Sequence, residues 1–292
     1  MQDLEQKKQI CSSWFKNLRD NICREFEKIE EEYIDSSQKH VLNFNEAQKF
    51  VRKNWKRQTL DEKDGGGGEM SVMKGNVFEK VGVNISTVFG EFSEEFRKQI
   101  PGCEKNPQFF ATGVSLVAHM SSPLVPAVHM NTRFIVTEKN WFGGGADLNP
   151  MFEVEKDTND FHQALKNACD SYDDLAYEKY KRECEKYFFI KHRGVSRGVG
   201  GIFYDYLNSE NFDKDFDFTK NVGLSFLDIF PKIVRRNMFT KFTPEQREHQ
   251  LKKRGLYTEF NLVYDRGTKF GLMTGGNVEA ILMSLPPVAK WD

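Results

Sequence analysis

The sequence predicts an α+β fold in one domain. Three observations predict it: helical periodicity at both ends and in the middle of the chain, alternating apolar runs of strand composition between them, and short turn signals that suit antiparallel neighbours. The 292 residues are 39% hydrophobic and 29% charged, which is the composition of a folded globular protein. The length would allow two domains, but no linker and no internal repeat divides residues 1–292.

The elements follow in order. Residues 2–35 carry Ile10, Trp14, Leu18, Ile22, Phe26, Ile29 and Tyr33 at helical spacing, an amphipathic helix whose stripe packs on its own domain. A second short helix is expected over Asn45–Lys56, so N-terminal amphipathic helices span about 2–56. In DEKDGGGGEMS, Gly65–Gly68 predict either a mobile loop or a close backbone approach. Val81–Phe89, Gly113–Met120 and Ala127–Thr137 alternate as strands. A long helical region runs over Thr158–Phe188, then a strand over Gly198–Tyr206, and helices over Val222–Phe239 and Pro244–Arg254. Three short strands are expected at the C-terminus, over Tyr257–Tyr264, Lys269–Met273 and Val278–Met283.

Charge and cysteine content restrict the function classes. Lys+Arg is 42 and Asp+Glu is 43, a formal charge of −1. That balance gives no support for a nucleic-acid binder, which needs excess cations, whereas a small anionic substrate needs only a local basic patch. The five cysteines are scattered and form no CxxC pair, which argues against a disulfide scaffold and for a reducing, cytoplasmic setting. MQDLEQKKQI shows no secretory signal. Asn106–Thr132 has no Asp, Glu, Lys or Arg over 27 residues, yet Pro107, Pro123 and Pro126 break any spanning helix. A buried or ligand-lined region of a soluble fold is expected there, with no transmembrane segment.

Period-two alternation then sorts side chains onto faces. Ala127–Val136 puts His129, Asn131 and Arg133 on one side, opposite Val128, Met130, Thr132, Phe134 and Val136; in Val114–Met120, Ser115 and His119 share a side. Either this is the wet face of a sheet, or it is a pocket floor for an anion, because Arg offers a planar fork of donors to a carboxylate. The absence of Lys and Glu on that face favours the pocket. NWFGGGADLNP reads first as a turn, since Gly, Asp, Asn and Pro are turn formers. Its alternative is a carboxylate, Asp147, held beside a site. Neither glycine cluster matches a phosphate loop or a dinucleotide fingerprint. His119, His129, His162 and His192 lie mid-chain at spacings of 10, 33 and 30 residues, which match no local metal motif. Were Thr158–Phe188 one straight helix, His162 and His192 would stand roughly 40 Å apart; a break around Ser171–Asp174 would remove that objection. His192-Arg193, Arg197 and the glycines that follow form a further basic stretch, either a strand bend or a close approach to something flat.

Together these segments resemble the oxygen-dependent coproporphyrinogen III oxidases of haem biosynthesis. The resemblance spans most of residues 65–292. It rests on GGGGEMSVMKGNVFEKVGVNIS, GVSLVAH, VHMNTRF, WFGGGADLNP, KHRGVSRGVGGIFYDYL, YTEFNLVYDRGTKFGLMTGG and ILMSLPPVAKW, in that order. It implies a large, mostly antiparallel sheet flanked by helices on both sides, and a homodimer joined through the C-terminal segment, about 257–292. It implies oxidative decarboxylation of two propionates of coproporphyrinogen III to vinyls, giving protoporphyrinogen IX, with O2 as co-substrate and no organic cofactor. The family's substrate contacts fall on Ser115, Asn131, Thr132, Arg133, Gly275, Gly276 and Asn277. Its proton donor falls on His129 and its pocket carboxylate on Asp147, which would accept pyrrole N–H bonds, while Arg133 would clamp a propionate. Its four histidines, sometimes assigned to a divalent metal, fall on His119, His129, His162 and His192; the site can be described without one. Many members carry Arg where this chain has Asn277. Backbone N–H groups of Gly275 and Gly276, or Arg193, Arg197 or Lys290, would then take up the propionate.

Overall fold

The computed structural model describes residues 3–58, 63–98, 100–273 and 275–292. Helix α1 (Leu4–Asp35) begins at Asp3, whose carboxylate accepts the Gln6 N–H while the Gln6 side chain reaches back to the Asp3 N–H, a reciprocal cap that satisfies two otherwise orphaned donors. Its buried stripe includes Cys11, Phe15, Leu18, Ile22, Phe26, Ile29 and Tyr33. Ile10 is exposed, so the seam starts one position later than the sequence suggests.

Strands β1 (Val51–Gln58), β2 (Asp64–Met73) and β3 (Phe78–Glu91) come next, then a single turn α2 (Glu94–Arg97). Strands β4 (Gln108–Met120), β5 (Ala127–Val136) and β6 (Asn140–Asn149) follow. Helices α3 (Glu155–Asp170) and α4 (Ala176–Tyr187), the small hairpin β7 (Phe189–Ile190) and β8 (Val195–Ser196), and β9 (Gly200–Leu207) precede α5 (Phe212–Asn237). The chain ends on α6 (Pro244–Val263), α7 (Arg266–Met273) and α8 (Val278–Leu282). The main sheet has seven strands in the order β1-β2-β3-β4-β5-β6-β9, every pair antiparallel. One face packs on α1 and α5, with α3 and α4 over the β9 end. The opposite face is covered by α6–α8: Asn84 Nδ2 donates to the Ala280 carbonyl and Lys80 to that of Leu285. The expected antiparallel sheet with helices on both sides is therefore present.

Three local expectations are corrected, and two that offered alternatives are resolved. Asn45–Lys56 is not a helix, since residues from Val51 form edge strand β1 against β2. Gly65–Gly68 belong to β2, and a Cβ on Gly68 would lie 2.6 Å from the Trp55 ring, so close approach is the reason for at least this glycine. NWFGGGADLNP is not a turn but contains strand β6. The three C-terminal strands are helices: buried Leu251, Arg254, Gly255, Tyr257, Phe260 and Asn261 form one helical stripe through Gly255. The region Thr158–Phe188 is two helices, with the break after Asp170.

Candidate active site

Strand β5 presents His129, Asn131 and Arg133 to the side facing α6–α8, while Val128, Met130, Thr132 and Phe134 are fully buried against the helical layer. Register completes the floor. Ser115 on β4 stands opposite Asn131, and Asp147 on β6 stands opposite His129. Gly143 on β6 faces Arg133, and a Cβ there would meet Asp205 Oδ1 at 2.8 Å and Arg133 Cζ at 2.9 Å. The glycine leaves room for an ion pair to lie flat on the sheet.

The polar groups form one connected line. Arg266 Nη2 lies 3.6 Å from Asp205 Oδ2, and Arg133 Nη2 lies 2.9 Å from Asp205 Oδ1. Arg133 Nη1 donates to Asn131 Oδ1 at 3.3 Å; Asn131 Nδ2 is 3.1 Å from His129 Nε2; His129 Nδ1 is 2.8 Å from Asp147 Oδ1. An ionised carboxylate only accepts, so Nδ1 carries the proton. With its amide oxygen turned to Arg133, Asn131 donates to Nε2, which leaves Nε2 as the acceptor. Asp147 also receives Arg197 Nη2 on both oxygens, at 2.7 and 2.8 Å, and Asn149 Nδ2 at 2.9 Å.

The Asp147 and Arg197 side chains are 1% and 2% exposed. Burial alone would raise the Asp147 carboxyl; the Arg197 guanidinium and the bond from His129 outweigh it and hold the group down at about 2. Phe188, Tyr257 and Phe260 enclose Arg197, with their ring centroids 4.0, 4.6 and 4.8 Å from Cζ, a weakly hydrated cation packed on aromatic faces. Burial works against the Arg133 cation too, and Asp205 more than offsets it, so Arg133 stays charged.

Between this floor and α6–α8 lies a cavity of about 730 Å³, within the usual range for small-molecule sites. Ser115, His129, Asn131, Arg133, Gly276 and Asn277 all line it. Cations outnumber anions in the lining: Arg57, Arg133, Arg197, Arg266 and Lys269 against Asp205 and Asp265, an arrangement suited to a polyanionic ligand.

Other expected residues are placed differently. Thr132 is in the cavity lining, but its side chain belongs to the buried set of alternate residues on β5. Gly275 takes φ +71° in the turn before α8 and is not in the cavity lining, whereas Gly276 and Asn277 are. Asn277 spends its side-chain oxygen on the Ala280 N–H as the N-cap of α8, so it organises the cavity roof. Asp147 sits behind His129 and Arg197, with both oxygens filled by protein donors. Direct acceptance of ligand N–H bonds is not available to it in this arrangement. Asp205 and Arg266 are site residues that the sequence reading did not single out as such, and Arg197, expected as an alternative propionate contact, is instead paired with Asp147. Period two from Phe203 would have put Asp205 on the cavity side.

The four histidines do not form one ligand set. His119 Nε2 bonds the Ser284 carbonyl at 2.9 Å; His162 bonds Tyr177 and the Val199 carbonyl; His192 bonds Tyr264 and Glu259; His129 bonds Asp147. Among the described residues, no three His, Cys, Asp or Glu side chains are grouped to hold an ion. The break after Asp170 does not bring His162 and His192 together, because each is tied to a different element. These residues do not fit a shared metal.

No helix among the described residues is long and apolar enough to cross a membrane. Residues 10–292 match the family model described as coproporphyrinogen III oxidase. Proteins from Rickettsia bellii (strain OSU 85-389) and Rickettsia akari (strain Hartford), each named oxygen-dependent coproporphyrinogen-III oxidase, are 60% identical to this chain over 98% of its length and 99% of theirs. A protein of the same name from Rickettsia conorii (strain ATCC VR-613 / Malish 7) is 59% identical over the same shares.

Proposed function

Because the chain belongs to the coproporphyrinogen III oxidase family, we propose that it converts two propionates of coproporphyrinogen III to vinyls, giving protoporphyrinogen IX in haem biosynthesis, with O2 as the oxidant. Each propionate loses CO2 and one β-hydrogen; two electrons pass to O2, which leaves as H2O2 after taking up that hydrogen and one proton from the medium. The reduced tetrapyrrole is electron-rich and supplies the electrons itself, so the scheme needs no flavin, haem or metal step.

The observation that carries this reading is the unbroken line from Arg197 through Asp147, His129, Asn131, Arg133 and Asp205 to Arg266 along one wall of a cationic cavity. Arg133 holds a propionate carboxylate as a fixed donor fork. His129, which lines the cavity, moves a proton through Nε2, where the bond from the Asn131 amide gives way to that proton. Asp147 does not touch substrate in this scheme: it fixes the His129 tautomer and neutralises Arg197. Ser115, Gly276 and Asn277 hold the macrocycle from floor and roof. Preorganised charge of this kind is strongest where water is excluded.

The same reading includes a single cytoplasmic domain over 1–292 and a homodimer through about 257–292. Supporting the second, Leu262, Val263, Leu272, Met273, Val278, Val288 and Trp291 are exposed apolar side chains of that segment. The test of the activity is purified protein with coproporphyrinogen III in air. Protoporphyrinogen IX is expected. Folded protein that binds the macrocycle and returns it unchanged overturns the proposal in favour of a carrier.

A further inference from the structure

Tyr206 has φ +55°, a left-handed conformation that costs a bulky L-residue free energy and persists only where the surroundings hold it. It sits on β9 within the irregularity in the pairing with β6, where Phe142 pairs with Leu207 and Gly144 with Tyr204. The unusual backbone has two consequences. The Tyr206 N–H bonds Asp205 Oδ1 at 3.1 Å, which helps fix the carboxylate that pairs with Arg133 and Arg266. The ring is 47% exposed, lines the cavity, and stands 5.4 Å from the Trp141 ring at an angle of 38°. Trp141 also lines the cavity; it is 4% exposed, and its indole N–H has no hydrogen-bond partner. A buried indole N–H is normally paired.

We propose that Trp141 and Tyr206 form a pyrrole subsite at the Asp205 end of the cavity, gripping one ring of the tetrapyrrole beside the Arg133–Asp205–Arg266 cluster. The proposal rests on the oxidase reading and deepens it. A pyrrole is flat and electron-rich, and its ring edge packs against aromatic faces at such tilted angles. Its side arms are carboxylates, for which Arg133 and Arg266 lie alongside. The subsite binds rather than reacts, so it acts on ground state and transition state alike.

Glycine is the informative substitution, because it adopts φ +55° freely and keeps the backbone N–H to Asp205. It removes the ring alone. For Y206G we expect KM for coproporphyrinogen III to rise about tenfold and the change in KM to exceed that in kcat. Binding of the oxidised macrocycle coproporphyrin, followed by its fluorescence, is expected to weaken in parallel. Y206F, which keeps the ring, is expected to recover most of the lost affinity. A parent-like KM and coproporphyrin affinity in Y206G, or Y206F as weak as Y206G, overturns the subsite. Failure of the oxidase reading looks different: the parent protein itself would show no turnover.

Discussion

Asp147→Asn tests the buried ion pair on which the site is built. In the parent, the Asp147 carboxyl is held at about 2 against an ordinary 3.8. That shift corresponds to about 2–3 kcal/mol of stability. Because the folded value lies below the unfolded one, this contribution is fully present above about pH 4 and disappears as pH falls toward 2. The amide leaves the Arg197 cation buried among Phe188, Tyr257 and Phe260 without a counter-charge. Breaking a buried pair from one side costs about 3–5 kcal/mol, which lowers Tm by roughly 6–20 °C. The amide N–H also donates to His129 Nδ1, which moves the ring proton to Nε2 and removes the acceptor; turnover should fall about 100- to 10,000-fold. Urea unfolding at pH 7 and at pH 3, with turnover in air, reads all three effects. A D147N protein destabilised by less than about 1 kcal/mol, or one with parent-like turnover, would refute the argument that this carboxylate anchors Arg197 and His129.

Arg133→Ala should lower turnover about 100- to 1000-fold while circular dichroism stays unchanged, and Lys at this position should not restore it because it lacks the planar fork. His119 is fully buried, and burial, with Arg254 adding to it, pushes its pKa down to about 3. It is neutral in the fold, so its contribution is complete above pH 6.5 and is lost as pH falls toward 3, at up to about 1.4 kcal/mol per pH unit. His119→Gln keeps a donor for the Ser284 carbonyl, and its acid-unfolding profile should be flatter than the parent's. Glu30 accepts the backbone N–H groups of Asn76, Val77 and Phe78, each at 2.9 Å; Glu30→Ala strands them and should cost at least about 3 kcal/mol in denaturant titrations. Chelator treatment should leave turnover unchanged, because His119, His129, His162 and His192 each serve a different partner.

The sheet was legible where one face is apolar and the other is not. On β5 the alternation of Val128, Met130, Thr132 and Phe134 with His129, Asn131 and Arg133 separates core from cavity with no further information. The edge strand β1 carries no such alternation: Arg52, Lys53, Asn54 and Lys56 are exposed on both sides, and its pairing depends on a glycine strand distant in local pattern. The C-terminal helices misled for another reason. Tyr257–Tyr264 is rich in aromatic and branched residues, and so short an apolar run does not separate period two from 3.6; the helix expected to end at Arg254 continues through Gly255, which lies inside α6 against the Lys290 carbonyl and Trp291. The direction of Asp147 was not readable either. Only the fold reveals that Arg197, 50 residues away, fills the side of its carboxylate that a ligand would have used.

The most direct measurement is CO2 release from coproporphyrinogen III labelled in its propionate carboxyls, with and without air. The oxidase reading predicts two equivalents of CO2 released and two of O2 consumed per macrocycle in air, and no CO2 under argon. Release of CO2 at the same rate under argon, or macrocycle recovered intact in air from folded protein, would contradict it.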